Sequence, residues 1–338
     1  MDTNVLYVGL DYHQNSVRVC AMNHEAKILV DRDVKSDWYS VRNSVSDWKG
    51  PVHALLESCS GAAAMADELA LHAGWSVQLA HPGYVSRVKQ SHDKTDKTDG
   101  RVLADLLRVG YVPEVWLAPE PIRELRRLNG YRNNLTGQRR NVKLRIGALL
   151  RDQRVLDCPV KTRWSKPWRE WVRAVTQLSA NGRWIVAQEM DELERLERRI
   201  ADVEKRLHEQ TRNDPLVQHL LQIPGIGLVT ACYLRGSIGR FDRFHSGKQL
   251  ARFCGLSPRN VSSGARQADA GLIGACDRTL RALLIEAAHR LIRHEKRWGA
   301  FAGRLRAQGK HPCVIVAAVA NRWMRGLWHE LKPLGLGF

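Results

Sequence analysis

Five short apolar stretches fall within the first 80 residues, and two of them close on an acid. Val5-Leu-Tyr-Val-Gly-Leu-Asp11 reads as a buried strand, and the alternating Val17–Met22 as its hairpin partner. Lys27-Ile-Leu-Val30 is a third strand, and Trp38–Trp48 is helix-like. Val52-His-Ala-Leu-Leu-Glu57 is a fourth strand, Gly61–Ala73 an Ala-rich helix and Trp75–Ala80 a fifth strand. Val102–Val109 is a further helix. Three strands, then helix and strand in alternation, leave few packings open. A meander followed by β-α units gives a mixed sheet with helices on its faces. This is the element order of the RNase H-like fold, and it ends near residue 112.

In such a sheet Asp11 and Glu57 lie at neighbouring strand positions. The polar stretch His92-Asp-Lys-Thr-Asp-Lys-Thr-Asp-Gly-Arg101 opens the next helix, with Asp96 and Asp99 three residues apart. That spacing puts both carboxylates on one helical face. Taken alone, the pair reads as first-turn acids at the positive end of a helix dipole. Four converging carboxylates repel one another unless cations neutralise them. Hard oxygen ligands suit Mg²⁺ or Mn²⁺. Two such ions about 4 Å apart can stabilise the attacking and leaving oxygens of a phosphodiester. Asp11, Glu57, Asp96 and Asp99 are therefore the candidate metal ligands and catalytic acids.

The 338 residues suggest two or three domains, and the net charge of +18 points to a polyanion such as DNA or RNA. No apolar run reaches membrane-span length, and no signal-peptide pattern opens the chain. The seven cysteines are scattered, with no Cys-x-x-Cys pair. This argues against a zinc module and for a reducing, cytoplasmic setting with no membrane partner.

The expected middle region runs over 113–215. Pro113, Pro119 and Pro121 mark a linker, followed by a basic helix carrying Arg126, Arg127, Arg139, Arg140 and Lys143. Acids are scarce within it, so its charges read as unpaired and available to phosphates. Residues 156–184 read as a partly helical insertion whose tryptophans pack a small core or stack on bases, with core packing favoured. Val186, Leu193, Leu196, Ile200, Val203 and Leu207 form heptads over 185–212. They suggest a coiled-coil arm that serves self-association or an intramolecular helix pair.

Residues 216–338 form the expected third region. Pro224-Gly225-Ile-Gly227 has a helix-hairpin-helix look, and its turn can offer backbone N–H groups to a phosphate. Downstream, a polar loop displays Ser262, Ser263 and Gly264 beside Arg259 and Arg266. A serine needs activation to attack phosphorus, and guanidinium groups can stabilise the developing charge. A Ser-Ser-Gly loop by itself reads as a turn. Helices over 278–293 and 314–331 carry basic faces that include Arg278 and Arg281.

Together these stretches resemble the transposases of the insertion-sequence one-ten family over nearly the full length. The motifs are Val8-Gly-Leu-Asp11, Leu55-Leu-Glu57-Ser-Cys-Ser-Gly and Lys94-Thr-Asp96-Lys-Thr-Asp99-Gly-Arg, then Ile223-Pro-Gly-Ile-Gly227, Leu256-Ser-Pro-Arg259 with Ser262-Ser263-Gly264, and Asp277-Arg-Thr-Leu-Arg281. The resemblance implies a RuvC-like DEDD domain over 1–112, a helical coiled-coil middle and a mainly α, serine-bearing domain over 216–338. It implies Asp11, Glu57, Asp96 and Asp99 as the DEDD acids around Mg²⁺, and Ser263 as the nucleophile that forms a phosphoserine link, with Ser262 as the fallback. It also implies donor and target DNA, a non-coding bridge RNA that supplies sequence choice, and a homo-oligomer (dimer or tetramer) that is nucleoid-associated when active. The sequence departs from the family pattern at three motif positions, and its middle is longer around 156–184. Ala265 follows Ser-Gly, Ile273-Gly-Ala-Cys276 lacks a lysine, and Gly100 follows the last acid. Two other readings fit the residues: a metal-dependent junction nuclease without a covalent intermediate, and a non-catalytic nucleic-acid binder.

Overall fold

The computed structural model describes residues 4–88, 96–155, 157–263 and 266–334, with the side chains at 87, 88, 96, 97, 260–263 and 266–270 left outside the description. The chain divides into two compact units, Met1–Pro119 and Glu120–Phe338.

The first unit is built on a six-stranded sheet in the order β3-β2-β1-β4-β5-β6. Strands β1 (Leu6–Tyr12), β2 (Ser16–Met22) and β3 (Ile28–Lys35) form the antiparallel meander. Helix α1 (Trp38–Asn43) follows, with Asp37 Oδ1 accepting from Ser40 N at 2.7 Å as its cap. Strand β4 (Val52–Glu57) pairs parallel to β1. After helix α2 (Ala62–Ala73), β5 (Ser76–Ala80) pairs parallel to β4. Helices α3 (Pro82–Val88) and α4 (Asp96–Arg108) precede β6 (Glu114–Val115), which pairs antiparallel to β5. The meander and β-α alternation match the sequence reading. Strand β6 and helix α3 were not anticipated.

The period of two along each strand sorts the sheet into two faces. Leu6, Val8 and Leu10 of β1 share a core with Met65, Ala66 and Leu69 of α2 and with Val41. On the opposite face, Leu55 packs with Leu103, Leu106 and Leu107 of α4.

The second unit opens with α5 (Glu120–Asp152), a helix about 50 Å long. After α6 (Lys166–Ala174), helix α7 (Ala180–Thr211) returns alongside α5. Arg145 pairs with Glu189 and Arg132 with Glu204, so the two helices run antiparallel. The heptad residues Val186, Leu193, Leu196, Ile200, Val203 and Leu207 are all buried in one core with Leu135, Val142 and Ile146 of α5. Of the two uses left open for the heptads, the chain adopts the intramolecular helix pair. The stripe is consumed there and gives no support to self-association.

The expectation that the α5 charges are unpaired is corrected for four of its arginines. Arg123 and Arg127 pair with Glu120, Arg127 with Glu124, and Arg132 and Arg145 with acids of α7. Glu204 and Glu189 lie 72 and 44 residues from Arg132 and Arg145, on the partner helix, where a local scan does not see them. The tryptophan reading holds at Trp168, which is buried between Trp164 and Trp171.

Helices α8 (Pro215–Leu221), α9 (Leu228–Ile238) and α10 (Gly247–Phe253) follow. The β-hairpin β7 (Pro258–Ser263) and β8 (Arg266–Leu272) comes next, then α11 (Arg278–His294), α12 (Lys296–Ala307) and α13 (Pro312–Leu331). Their apolar residues join the same core as α5 and α7.

Candidate active site

One glycine sets how closely a helix can approach the sheet. A Cβ at Gly9 of β1 would lie 2.0 Å from the Gly100 carbonyl oxygen and 2.5 Å from the Ala104 nitrogen. The α4 backbone therefore rests on β1 at this point, which no other residue type permits without movement. Gly100 lies near Arg18 and Cys20, whereas Ala104 clusters with Cys20, Met22 and Tyr7. In the β1–β2 register Asp11 faces Arg18, and Tyr7 faces Met22. The N-terminal end of α4 is thus directed towards the Asp11 end of β1.

Asp11 is two residues beyond Gly9 and Glu57 two beyond Leu55, so both belong to the sheet face that receives α4. Leu10 pairs with Leu56, which leaves Asp11 and Glu57 level at the ends of adjacent parallel strands. Asp99 directly precedes Gly100 on α4 and is carried to the same end. Asp96 is the first residue of α4, and its side chain lies outside the described residues. The His13 ring nitrogen Nε2 lies 3.1 Å from Asp11 Oδ2. The Cys59 thiol is pushed up by burial and, further, by the negative charges of Glu57 and Asp11, so one group feels both carboxylates.

Carboxylate oxygens on one sheet face are the donor type that a hard divalent cation takes. Among the described residues, no three His, Cys, Asp or Glu are gathered closely enough to hold a metal. The fit therefore rests on donor chemistry and on strand and helix placement.

A half-buried ion network, which the sequence reading missed, pins α4 to the meander. Arg18 Nη2 donates to Asp31 Oδ1 at 2.6 Å, and Arg101 Nε donates to Asp31 Oδ2 at 2.9 Å. Asp31 thus joins β2 and β3 to the residue two places after Asp99. Burial alone would raise the Asp31 carboxyl, but the hydrogen bonds from Arg101 and Arg18, reinforced by their charges, hold it below its ordinary value. A carboxyl depressed in the folded state stabilises above its unfolded value of about 3.9. That contribution is lost as pH falls through the depressed value. The only local signal was Arg101, inside the acid-bearing motif. Replacing Asp31 with Asn is expected to weaken Mn²⁺ binding and cleavage about 10–100-fold, as supports of ligand positions commonly do. Calorimetric Mn²⁺ titration beside a cleavage assay checks this. Unchanged Mn²⁺ affinity would refute the positioning role.

In the second unit the serines do not sit in a loop. Ser262 and Ser263 are the last residues of β7, registered against Gln267 and Arg266 of β8. Gly264 and Ala265, and the side chains of Ser262, Ser263 and Arg266, lie outside the described residues. Gly255 turns the chain from α10 into this hairpin at φ +73, and a Cβ there would meet Cys276 Sγ at 2.3 Å. The Ile273–Cys276 stretch, which lacks the family lysine, is thus packed against that turn. Arg281 Nη1 donates to the Ile273 carbonyl at 2.7 Å, while Arg259 and Arg278 are exposed.

Pro224–Gly227 connects α8 to α9, with Gly225 at φ +86 and Arg290 donating to its carbonyl at 3.2 Å. Gly227 caps α9 without a side-chain hydrogen bond, so the helix presents first-turn N–H groups. Of the basic residues on α5, Arg126 donates to the Gly236 carbonyl, Arg127 is ion-paired and Arg140 is exposed. The Lys143 ammonium lies 5.0 Å from the Trp164 ring centroid, and burial, with the charge of Arg139, lowers its proton affinity.

Comparison with known proteins now adds to this geometry. A DEDD-type family model described as a transposase matches residues 8–153, and a second, described as the transposase IS116/IS110/IS902 family, matches residues 217–302. The chain belongs to this transposase family. It is 27% identical to a probable family 20 transposase of Pseudomonas aeruginosa, covering 97% of each chain. It is 26% identical to the transposase for insertion sequence element IS1111A of Coxiella burnetii, over 87% of this chain and 79% of that one. It is 25% identical to the transposase for IS1328 of Yersinia enterocolitica, over 96% of both.

As a transposase of an insertion sequence, the protein is a DNA-processing enzyme, and its DEDD domain belongs to a divalent-metal-dependent class. No helix among the described residues is long and apolar enough to cross a membrane.

The Gly100 departure from the transposase pattern has a simple structural reading. A Cβ there would meet Cys20 Cβ at 3.4 Å, an ordinary contact. Alanine also holds a helix interior better than glycine by roughly 0.5–1 kcal/mol. Gly100→Ala is expected to keep full cleavage and to raise the Tm of the first unit by a few degrees, read by calorimetry.

Proposed function

We propose that this transposase cuts and rejoins DNA by dividing the work between a four-carboxylate metal site and a serine. Asp11, Glu57, Asp96 and Asp99 would hold Mg²⁺ or Mn²⁺ at the scissile phosphate, where the cation stabilises developing oxygen charge. The serine hydroxyl of Ser263, with Ser262 as the alternative, attacks phosphorus. The new bond is serine oxygen to phosphorus, the bond lost is phosphorus to a DNA oxygen, and the serine proton passes to a base. Arg259, Arg266, Arg278 and Arg281 supply positive charge on either side of the serine in sequence. The Gly225–Gly227 turn and Arg126, Arg127, Arg139, Arg140 and Lys143 contact phosphates, with Arg140 the most available of the α5 set.

The observation that carries this reading is the level placement of Asp11 and Glu57 on the face that receives the Asp99 end of α4. We propose further that a non-coding RNA pairs with donor and target DNA and so chooses the sites. The net charge of +18 suits such a polyanion load. The working form is proposed to be a homo-oligomer, dimer or tetramer, joined by a surface other than the buried α7 stripe. The three sequence regions, bounded near 112 and 215, are retained as a functional division.

A nicked suicide DNA substrate tests the chemistry. The expected product is a DNA–protein adduct that survives boiling in detergent and maps by mass to a peptide within residues 258–272. Free 3′-hydroxyl and 5′-phosphate ends without an adduct would favour a junction nuclease. Salt-sensitive binding with no cleavage in Mg²⁺ or Mn²⁺ would favour a non-catalytic binder.

A further inference from the structure

The foot of the serine hairpin opens onto a groove of about 690 Å³ within the second unit. Pro258 at the start of β7 and Leu272 at the end of β8 form one wall. Helices α12 and α13 form the others, through Arg297 and Phe301 and through Arg322 and Arg325. Asn321 Nδ2 donates to the Leu256 carbonyl at 3.0 Å, which ties α13 to the hairpin root. The volume is in the range of small-ligand sites, about 300–1,000 Å³.

Charge and lining narrow the occupant. Among the described residues, no aspartate or glutamate lines the groove, and no salt bridge to Arg297, Arg322 or Arg325 is formed. Elsewhere, as between α5 and α7, acids neutralise some of the arginines. Here Arg297, Arg322 and Arg325 share the lining with apolar residues that include Val314 and Ala317. The Arg322 guanidinium already lies over the Phe301 ring, 5.0 Å from its centroid. A cationic rim over apolar and aromatic surface suits phosphates and exposed base faces together. A duplex offers its phosphates to a flat basic surface and keeps its bases stacked inside. An apolar concave floor gains nothing from it.

We propose that this groove holds unpaired nucleotides of the DNA strand on which the serine hairpin acts. The groove and Ser263 are separated by about 17 Å of strand. The assignment of the strand rests on the serine reading above. The recognition of unpaired DNA does not.

The test uses full-length protein and a 12-nucleotide oligothymidine, a duplex of mixed sequence and oligouridine of the same length. Arg322→Ala/Arg325→Ala is expected to weaken oligothymidine binding at least tenfold and to lower its salt slope by one to two. Duplex binding should change less than twofold. Ala318→Phe, which fills the groove without removing charge, should weaken oligothymidine binding alone. In the unaltered protein, 5-iododeoxyuridine should photocrosslink to a peptide containing Phe301, which does not depend on any variant folding. Equal losses on single strand and duplex would overturn the proposal, as would crosslinks elsewhere. A loss confined to oligouridine would assign the groove to RNA and overturn it too. If oligothymidine behaves as stated but the suicide substrate yields no adduct, only the serine reading fails. An adduct with no groove effect removes the groove proposal alone.

Discussion

Ser263→Ala is expected to bind DNA as the unaltered chain does and to form no covalent adduct at all. Ser262→Ala should form adduct at a rate within a few-fold of the original. The choice of Ser263 rests on its place before Gly264 in the family pattern. The expectation that one serine alone acts rests on the β7–β8 register, in which Ser262 pairs with Gln267 and Ser263 with Arg266. Successive positions of a strand belong to opposite faces of the ladder. One phosphate is therefore addressed from position 262 or from position 263, not from both. Loss of a covalent nucleophile removes the step outright, because no neighbouring group supplies the same bond. Denaturing gels of the trapped substrate read the result. Adduct in Ser263→Ala but not in Ser262→Ala would move the nucleophile by one residue. Adduct in both would end the serine mechanism.

Gly9→Ala is expected to abolish cleavage for a different reason. The added methyl would meet main-chain atoms of α4 at 2.0 and 2.5 Å, and no rotamer change relieves a clash with backbone. Helix α4 must lift from β1, taking Asp99 away from the level of Asp11 and Glu57. Overpacking of this kind costs about 1–3 kcal/mol, sometimes more. In a domain of this size that lowers Tm by roughly 4–12 °C. The first unit would still fold, so cleavage should be lost below the new midpoint while binding by the second unit persists. Calorimetry and a cleavage assay at 25 °C separate the two. A Gly9→Ala protein with normal cleavage would show that the helix-to-strand contact does not set the acid spacing. Gly100→Ala, on the other side of that contact, is the matched control.

The features that could be read in the sequence share a local periodicity. Val5–Asp11 and Val52–Glu57 carry the apolar run of buried strands, and the acid at the end of each is visible in one dimension. The α7 heptads are equally plain, although their partner is not. What stayed hidden depends on contacts between distant residues or on elements too short to show a period. Strand β6 has two residues and pairs with β5. Helix α12 was passed over, although Trp298 and Ala302 are buried on it. In the hairpin strands β7 and β8 the only apolar alternation is the weak Ala268, Ala270, Leu272 series, too slight to mark a strand. Asp31 is an ordinary residue until Arg18 and Arg101 close on it from two other elements. Of the proposed catalytic residues, the acids of β1 and β4 were legible because strands end near where they stand. The meaning of Ser263 came from its neighbours in a family pattern, not from any physical signature of its own.

The meeting of Gln153 with Ser179, 3.2 Å apart between side chains, closes the described residues from 153 to 179 into a cap at the tip of the α5–α7 pair. Chain entering and leaving that cap does so at one point. Extra residues inserted there add only logarithmically to the entropy of closure. The cap is thus a place where this chain can grow or shrink while the two long helices keep their alignment, with Trp168 as the peg that any replacement would have to reproduce.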